Sequence, residues 1–251
     1  MDELRVKHNQ IKFELLESAI NKLRMSNKDR PITLLDLGVG RANDINKWRK
    51  LGIETIIGID PSTDQLNEAK NRINSVKNYK RANESQSQSI TLLQLDLSDK
   101  RDIKKMYNQL YTTYFFDIVC SFFSVHYFIN NLALILDSVK LANDCEFVSV
   151  FMCLRPCMFL FEPYFENEYI YIKKENTNEV VVKFKDAPYF TDLQFSQETP
   201  LDPSMIIHAI KTHFKGIELN SFVKYYKNIE NVSNDILLIE LMHVSLSASS
   251  K

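Results

Sequence analysis

The sequence has no excess of charge of either sign: 31 Lys and Arg stand against 32 Asp and Glu, a formal net charge of −1, with a sequence pI near 6.5. That balance excludes a protein that coats nucleic acid non-specifically, so any nucleic-acid contact must be local. Long apolar runs are also missing. No stretch approaches the roughly 18 to 20 residues that span a bilayer, and the start MDELRVKHNQIK is too charged for a signal peptide. A soluble chain of a reducing, cytoplasmic compartment, with no membrane partner, is therefore expected. Cysteine is scarce, and Cys120, Cys145, Cys153 and Cys157 show no CxxC pair. This argues against a zinc site and predicts buried free thiols, with no metal. No internal repeat is visible.

What is present is enough for a core: 251 residues, 45% of them hydrophobic, predict a single domain over 1–251 with an elaborated C-terminal part. Ile11, Leu15, Ala19, Ile20 and Leu23 keep one helical face apolar, placing a helix within 1–26 that packs on something. After the turn signal at 27–31, Ile32 to Leu37 reads as a buried parallel strand. The pattern then alternates: helix 42–51, strand 54–59, helix 63–75 capped by Ser62, strand 90–95, helix 101–111, strand 116–122, helix 131–143, strand 146–152. Such alternation predicts an α/β fold, a doubly wound, mostly parallel seven-stranded sheet with helices on both faces. Its nucleotide-binding core would cover 32–153. A hairpin inserted over 160–203, with an alternating run from Val180 to Phe184, is expected to help build a substrate site. A helix at 204–214 and strands at 217–226 and 235–246 would close the domain over 204–246. Trp48 reads as helix-to-sheet packing, and Phe122, Phe123 and Phe128 as core on one side of their strand.

Asp36-Leu37-Gly38-Val39-Gly40-Arg41-Ala42-Asn43 follows a strand and opens a helix, the context of a nucleotide-binding glycine turn. Asp60 ends the next strand, where a carboxylate accepts the hydroxyls of an adenosine ribose. A dinucleotide site needs a third glycine where this chain has Asn43. Charge separates the two possible ligands further, because Asp36 and Asp44 bracket the loop. Like charges about 4 Å apart repel by roughly 4 kcal/mol at an effective dielectric near 20, which opposes a pyrophosphate. The ammonium and sulfonium of S-adenosylmethionine (AdoMet) would be attracted instead. Asp96, closing the third strand, completes a row of acids at one sheet edge.

More than the glycine turn then comes into register. Leu35 to Trp48, LDLGVGRANDINKW, resembles the LDLGCGKGGDLLKW-type motif of mRNA cap guanine-N7 methyltransferases. His8 to Lys12 resembles the N-x-x-K of that family's first helix. Gly58-Ile59-Asp60-Pro61-Ser62 with Glu68 to Arg72 resembles GxDxS…EAxxR, and Phe116 to Tyr127 resembles FDxxxxQFxxHY. The resemblance covers about the first half of the chain and is looser afterwards. Within the family the divergent glycine loop is most similar to large DNA virus capping enzymes, the African swine fever virus type among them.

The resemblance implies a class I, AdoMet-dependent enzyme that methylates guanine N7 of a 5′ mRNA cap, leaving S-adenosylhomocysteine. It implies cofactor contacts from Lys12, Asp36, Gly38, Gly40, Asp60, Asp96, Phe122 and Tyr127. Lys12 would meet the AdoMet carboxylate, Asp60 the ribose and Asp96 the adenine. Where the family has a glutamine this chain has Phe122, which leaves backbone contact. Cap contacts would come from Asn9, Arg41, Lys47, Arg72, Phe123, His126, Tyr127 and Glu198. Of these, Arg41, Lys47 and Arg72 would face the triphosphate, while Glu198 would read the guanine. The family's cap-contacting tyrosine of the last strand has no counterpart in Asp235 to Glu240. No catalytic base is expected, only positioning residues, because guanine N7 attacks with a lone pair that carries no proton. The implied partners are the capped RNA 5′ end and fused or associated RNA triphosphatase and guanylyltransferase modules, and a viral source would place the protein in a viral factory or virion. Two other readings remain open: an AdoMet enzyme acting on a different small molecule or protein, and an inactive methyltransferase-like domain that binds a partner.

Overall fold

A computed structural model describes residues 2–26, 28–78, 88–153, 164–166, 170–176, 179–185, 195–198, 200–222 and 243–250. Its first element is helix α1 (Asp2–Ser26). Strands and helices then alternate: β1 (Thr33–Leu37), α2 (Ile45–Lys50), β2 (Thr55–Asp60), α3 (Thr63–Asn78), β3 (Ser89–Gln94), α4 (Lys100–Leu110) and β4 (Phe115–Phe122). Two 3-10 turns, Val125–Tyr127 and Ile129–Asn131, lead into α5 (Leu132–Asp137) and the long β5 (Lys140–Met152). Next come β6 (Tyr164–Glu166), β7 (Ile170–Asn176), β8 (Glu179–Lys185), β9 (Phe195–Glu198), α6 (Pro203–Ile210), β10 (Phe214–Ser221) and β11 (His243–Ser250).

The expected seven-stranded sheet is present, in the order β10-β11-β5-β4-β1-β2-β3. The run from β5 to β3 is parallel, β11 is antiparallel to β5, and β10 is antiparallel to β11. The order reverses beside β1, between β4 and β2, and in open α/β sheets such a switch point opens a crevice at the carboxyl ends of the strands. In place of a simple hairpin, β6 to β9 form a separate four-stranded antiparallel sheet.

Alternation along the strands gives the sheet two apolar faces. One packs Leu34, Ile56, Ile118, Cys120 and Phe122 against α1, α2 and α3, with Ile11, Leu15, Leu16, Ala19, Ile20 and Leu23 supplied by α1. The other packs Leu35, Ile57, Phe116 and Val119 against α4, α5 and α6. Burying a side chain such as Ile20 stabilises by roughly 1.5–3 kcal/mol, so the apolar face of α1 is reason enough for it to dock. Trp48 lies fully buried between α2 and the sheet. Phe122 and Phe128 pack on opposite faces, not on one, because Phe128 follows the strand in a turn that carries it across. Ser62 caps α3 through Gln65 N–H, 3.3 Å from its hydroxyl.

Several boundaries differ from expectation, among them the end of α6 at Ile210 rather than 214. Helix α2 starts at Ile45 rather than 42, since Ala42 is held at φ +52. Helix α5 ends at Asp137, and the segment from Lys140 joins β5, where Lys140 and Leu141 pair with Phe115 and Phe116. The closing strands are β10 at Phe214–Ser221 and β11 at His243–Ser250, displaced from 217–226 and 235–246; most of the latter range lies outside the described residues. Among the described cysteines, Cys120, Cys145 and Cys153 are buried; Cys157 lies outside the described residues. No helix among the described residues is long and apolar enough to cross a membrane.

Candidate functional site

At the carboxyl ends of β1, β2 and β4 lies a cleft of about 570 Å³, within the usual range for a small-molecule site. Its floor is the turn after β1. Gly38 sits at φ +90 and Gly40 at φ +52, both in the left-handed region. A Cβ at Gly38 would run into the Ser124 side chain, whose hydroxyl donates to Leu37 C=O at 2.6 Å. A Cβ at Gly40 would meet only Gln65 Oε1, 3.8 Å away. Close packing thus demands the first glycine, whereas backbone shape alone favours the second.

Asp60, at the end of β2, is pinned from two sides. Its carboxylate accepts from Gly40 N–H at 3.0 Å and Ser62 N–H at 2.9 Å. Burial raises its pKa, and these two N–H donors oppose the rise. Asp96 lies two residues beyond the end of β3 and is exposed. One of its oxygens accepts from Ser98 N–H and hydroxyl, at 2.8 and 2.7 Å.

The acids beside the glycine turn are shifted in opposite directions. Burial, and then the neighbouring Asp44 charge, push Asp36 up to about 7, against the opposing pull of Lys12. Burial works against the Asp44 charge too, but the Lys12 and Lys47 ammonium groups outweigh it and hold that carboxyl below its ordinary range. Lys12 Nζ lies 2.9 Å from Asp44 and 5.6 Å from the Phe122 ring centre. Lys47 Nζ donates to Asp44 and, at 2.8 Å, to Asn9 Oδ1.

The aromatic wall comes from the turn after β4. Phe123 is held at φ +59, a conformation that costs a non-glycine residue roughly 1–2 kcal/mol. Its N–H donates to Val150 C=O at 2.8 Å, and its ring stacks on His8 at 5.4 Å. His8 in turn meets Phe222 edge-on at 5.1 Å. His126 and Tyr127 rings lie 3.9 Å apart; Tyr127 is two-thirds exposed, whereas His126 Nε2 is buried with no hydrogen-bond partner among the described residues. Burial lowers the His126 pKa to about 4.

Most of the expected site residues line this one cleft: Lys12, Asp36, Gly38, Gly40, Asp60, Asp96, Phe122 and Tyr127, with Asn9, Arg41, Phe123 and His126. Lys47 is turned toward Asp44 and Asn9, while Arg41 pairs with Glu68 at 3.2 Å. Arg72 is exposed on α3 and outside the cleft lining. Glu198 pairs with Val182 at the end of β9. The sequence reading gave Asp44 a charge beside the loop but no contact of its own, and passed over His8 and Ser124, although all three stand inside the quoted motifs. Among the described residues, no group of three or more His, Cys, Asp or Glu is arranged to hold a metal ion.

The mRNA (guanine-N(7))-methyltransferase domain model matches residues 2–197. An mRNA cap guanine-N(7) methyltransferase of Schizosaccharomyces pombe is 43% identical over 53 residues, a match spanning 21% of this chain and 15% of that protein. Solved structures share the fold at low identity. An S-adenosylmethionine-dependent methyltransferase from Clostridium acetobutylicum is 12% identical with a TM-score of 0.54, covering 94% of this chain and 91% of its own. Magnesium protoporphyrin IX methyltransferase from Synechocystis PCC 6803, solved with bound SAH, is 11% identical with a TM-score of 0.52, covering 100% of this chain and 86% of its own. The sheet order is thus that of class I methyltransferases, and, with the family model lying across well over half of its length, the chain belongs to the mRNA (guanine-N(7))-methyltransferase domain family.

Proposed function

We infer that the chain transfers a methyl group from AdoMet to guanine N7 of GpppN-RNA, giving m7GpppN-RNA. The observation that carries this reading is the union in one cleft of an acid-lined glycine turn and an aromatic wall, within a chain of this family. The donor set fits AdoMet. Carboxylates suit its ammonium and ribose hydroxyls, Lys12 suits its carboxylate, and at the glycine turn a Cβ on Gly40 would touch Gln65 Oε1 alone among the described residues. When bound, AdoMet supplies a methyl group on an electron-poor sulfonium.

On this reading Lys12, Asp36, Gly38, Gly40 and Asp60 hold the methionine and ribose parts, with Asp96 and the Phe122 backbone at the adenine side. Phe123, His126 and Tyr127 stack against and orient the guanine, with Glu198 as its carboxylate partner, while Asn9, Arg41, Lys47 and Arg72 attend the phosphates. Guanine N7 brings a lone pair and no proton to be removed, so these residues work by alignment and electrostatics; well-aligned reactants gain roughly 7 to 11 kcal/mol. A neutral His126 suits this, since a cation there would repel the methyl donor. RNA triphosphatase and guanylyltransferase modules, fused or associated, would prepare the substrate, and the loop's likeness to viral capping enzymes favours a viral, cytoplasmic setting.

The test is transfer of radiolabelled methyl from AdoMet to GpppA-ended RNA, with m7GpppA-ended RNA as control. Label on the first alone supports the reading. Label on both, or on neither while AdoMet binds, overturns it in favour of another acceptor or a silent domain.

A further inference from the structure

Helix α4 begins two residues after Ser98, which lines the cleft, and runs about 16 Å along the sheet at 1.5 Å per residue. From Lys100 to Lys105 it carries four cations and one acid, of which Arg101 pairs with Asp99 and Lys105 with Asp102, leaving Lys100 and Lys104 outside those pairs. Ile103, Met106 and Leu110 face the core, leaving Lys104, Tyr107, Asn108 and Tyr111 along the outward side. Phe115 continues this stripe at the start of β4. Tyr107 is 42% and Phe115 63% exposed. The Tyr107 and Tyr111 rings lie 4.6 Å apart, and Lys140 Nζ stands 5.0 Å from the Tyr111 ring and 5.1 Å from that of Phe115.

We propose that this stripe, Lys104–Tyr107–Tyr111–Lys140–Phe115, is a second RNA-binding surface, which takes the single-stranded RNA body outside the cap cleft. Adjacent rings, exposed at Tyr107 and Phe115 and half-buried at Tyr111, with ammonium groups beside them are what a flexible polyanion with stacking bases requires: the rings accept any base face and the cations track the phosphates. A protein partner fits less well, because the centre of a protein interface is depleted in lysine. At about 3.4 Å per stacked nucleotide, the length of α4 accommodates on the order of five nucleotides. Specificity stays with the cleft, and this stripe adds sequence-independent affinity. That division suits an enzyme whose substrates share one end and differ in everything after it, so the proposal rests on the cap-methylation reading.

The experiment uses the full chain and two probes: a fluorescein-labelled uncapped 20-nucleotide oligoadenylate, read by anisotropy, and methyl transfer to a GpppA dinucleotide against a GpppA-capped 20-mer. Tyr111→Ala and Phe115→Ala should each weaken oligoadenylate binding about tenfold. Lys104→Glu, a change at an exposed position outside the core, should lower the magnitude of the salt slope by about 0.7 or more. KM for the capped 20-mer should rise several-fold in all three, with turnover of the dinucleotide and AdoMet affinity unchanged. Unaltered oligoadenylate binding and capped 20-mer KM in the three variants would overturn the proposal and leave the stripe to a protein partner. Wild-type protein that binds oligoadenylate through these residues but methylates neither capped probe would refute the cap reading alone.

Discussion

Lys12 and Asp44, 32 positions apart in sequence, meet at 2.9 Å and join α1 to the turn that follows β1. Both are nearly buried, with side-chain exposure of 11% each. The lysine therefore does two things: it compensates Asp44 and moderates the rise at Asp36. Lys12→Met removes both effects and the proposed partner of the AdoMet carboxylate. AdoMet affinity is expected to fall by about one to two orders of magnitude, the loss of a partly buried charged hydrogen bond, as read by calorimetry. An unchanged affinity would remove Lys12 from the site.

Asp60→Ala should weaken AdoMet more than Asp96→Ala does. Asp60 fixes Gly40 and Ser62 through two N–H donors, so its loss releases the glycine turn as well as a ribose acceptor. Asp96 is exposed and touches only its own turn and the start of α4. Reductions of about 100-fold and 5-fold are expected, and the reverse order would contradict the assignment.

The two glycines separate by mutation. Gly38→Ala drives a methyl into Ser124 at a strained φ, whereas Gly40→Ala meets strain alone. Urea unfolding should show a loss of about 3 kcal/mol or more for the first and about 1 kcal/mol for the second. Equal losses would mean that Ser124 moves aside freely.

Asp36 and His126 should bend stability against pH in opposite senses. The folded value of Asp36, about 7, lies above its ordinary 3.8. Its contribution is full below about 4 and is lost as pH rises through 7. The folded value of His126, about 4, lies below 6.5. Its contribution is full above 6.5 and is lost as pH falls toward 4. Asp36→Asn should therefore melt on the order of 5 °C above the parent at pH 8, with the gap narrowing at pH 5 and closing near pH 4, while His126→Gln should gain at pH 5 and not at pH 8. AdoMet binding should tighten through pH 7 in the parent only, because a bound ammonium favours ionised Asp36. Melting offsets independent of pH would sink both assignments.

His126→Ala should lower methylation of capped RNA by 10-fold or more while AdoMet affinity holds, since its Nε2 is buried without a hydrogen-bond partner among the described residues, beside the exposed Tyr127 ring. Equal weakening of AdoMet would place it on the cofactor side.

The parallel strands were legible because each is a short β-branched or leucine-rich run bounded by turn residues, and the glycine turn with Asp60 because its parts lie close in sequence. Where tertiary pairing overrode local preference, the reading slipped. Leu141 and Ala142 are good helix formers but stand in β5, where Leu141 pairs with Phe116. Strand β11, HVSLSASS, looks like a polar tail, but Val244, Leu246 and Ala248 face the core and Ser245 is itself fully buried. The His8–Phe123–Phe222 stack joins three distant segments, and no local spacing announces it.

That stack also sets a timetable. A nascent chain makes His8 and Phe123 well before Phe222, and α1 can dock on β4 and β5 soon after they form. The edge-on contact on the His8 ring waits for Phe222, almost a hundred residues after Phe123. During synthesis, from N- to C-terminus at roughly 5–20 residues per second, that interval lasts at least several seconds. The packing behind the aromatic wall of the cleft is therefore completed after the strands on which it rests.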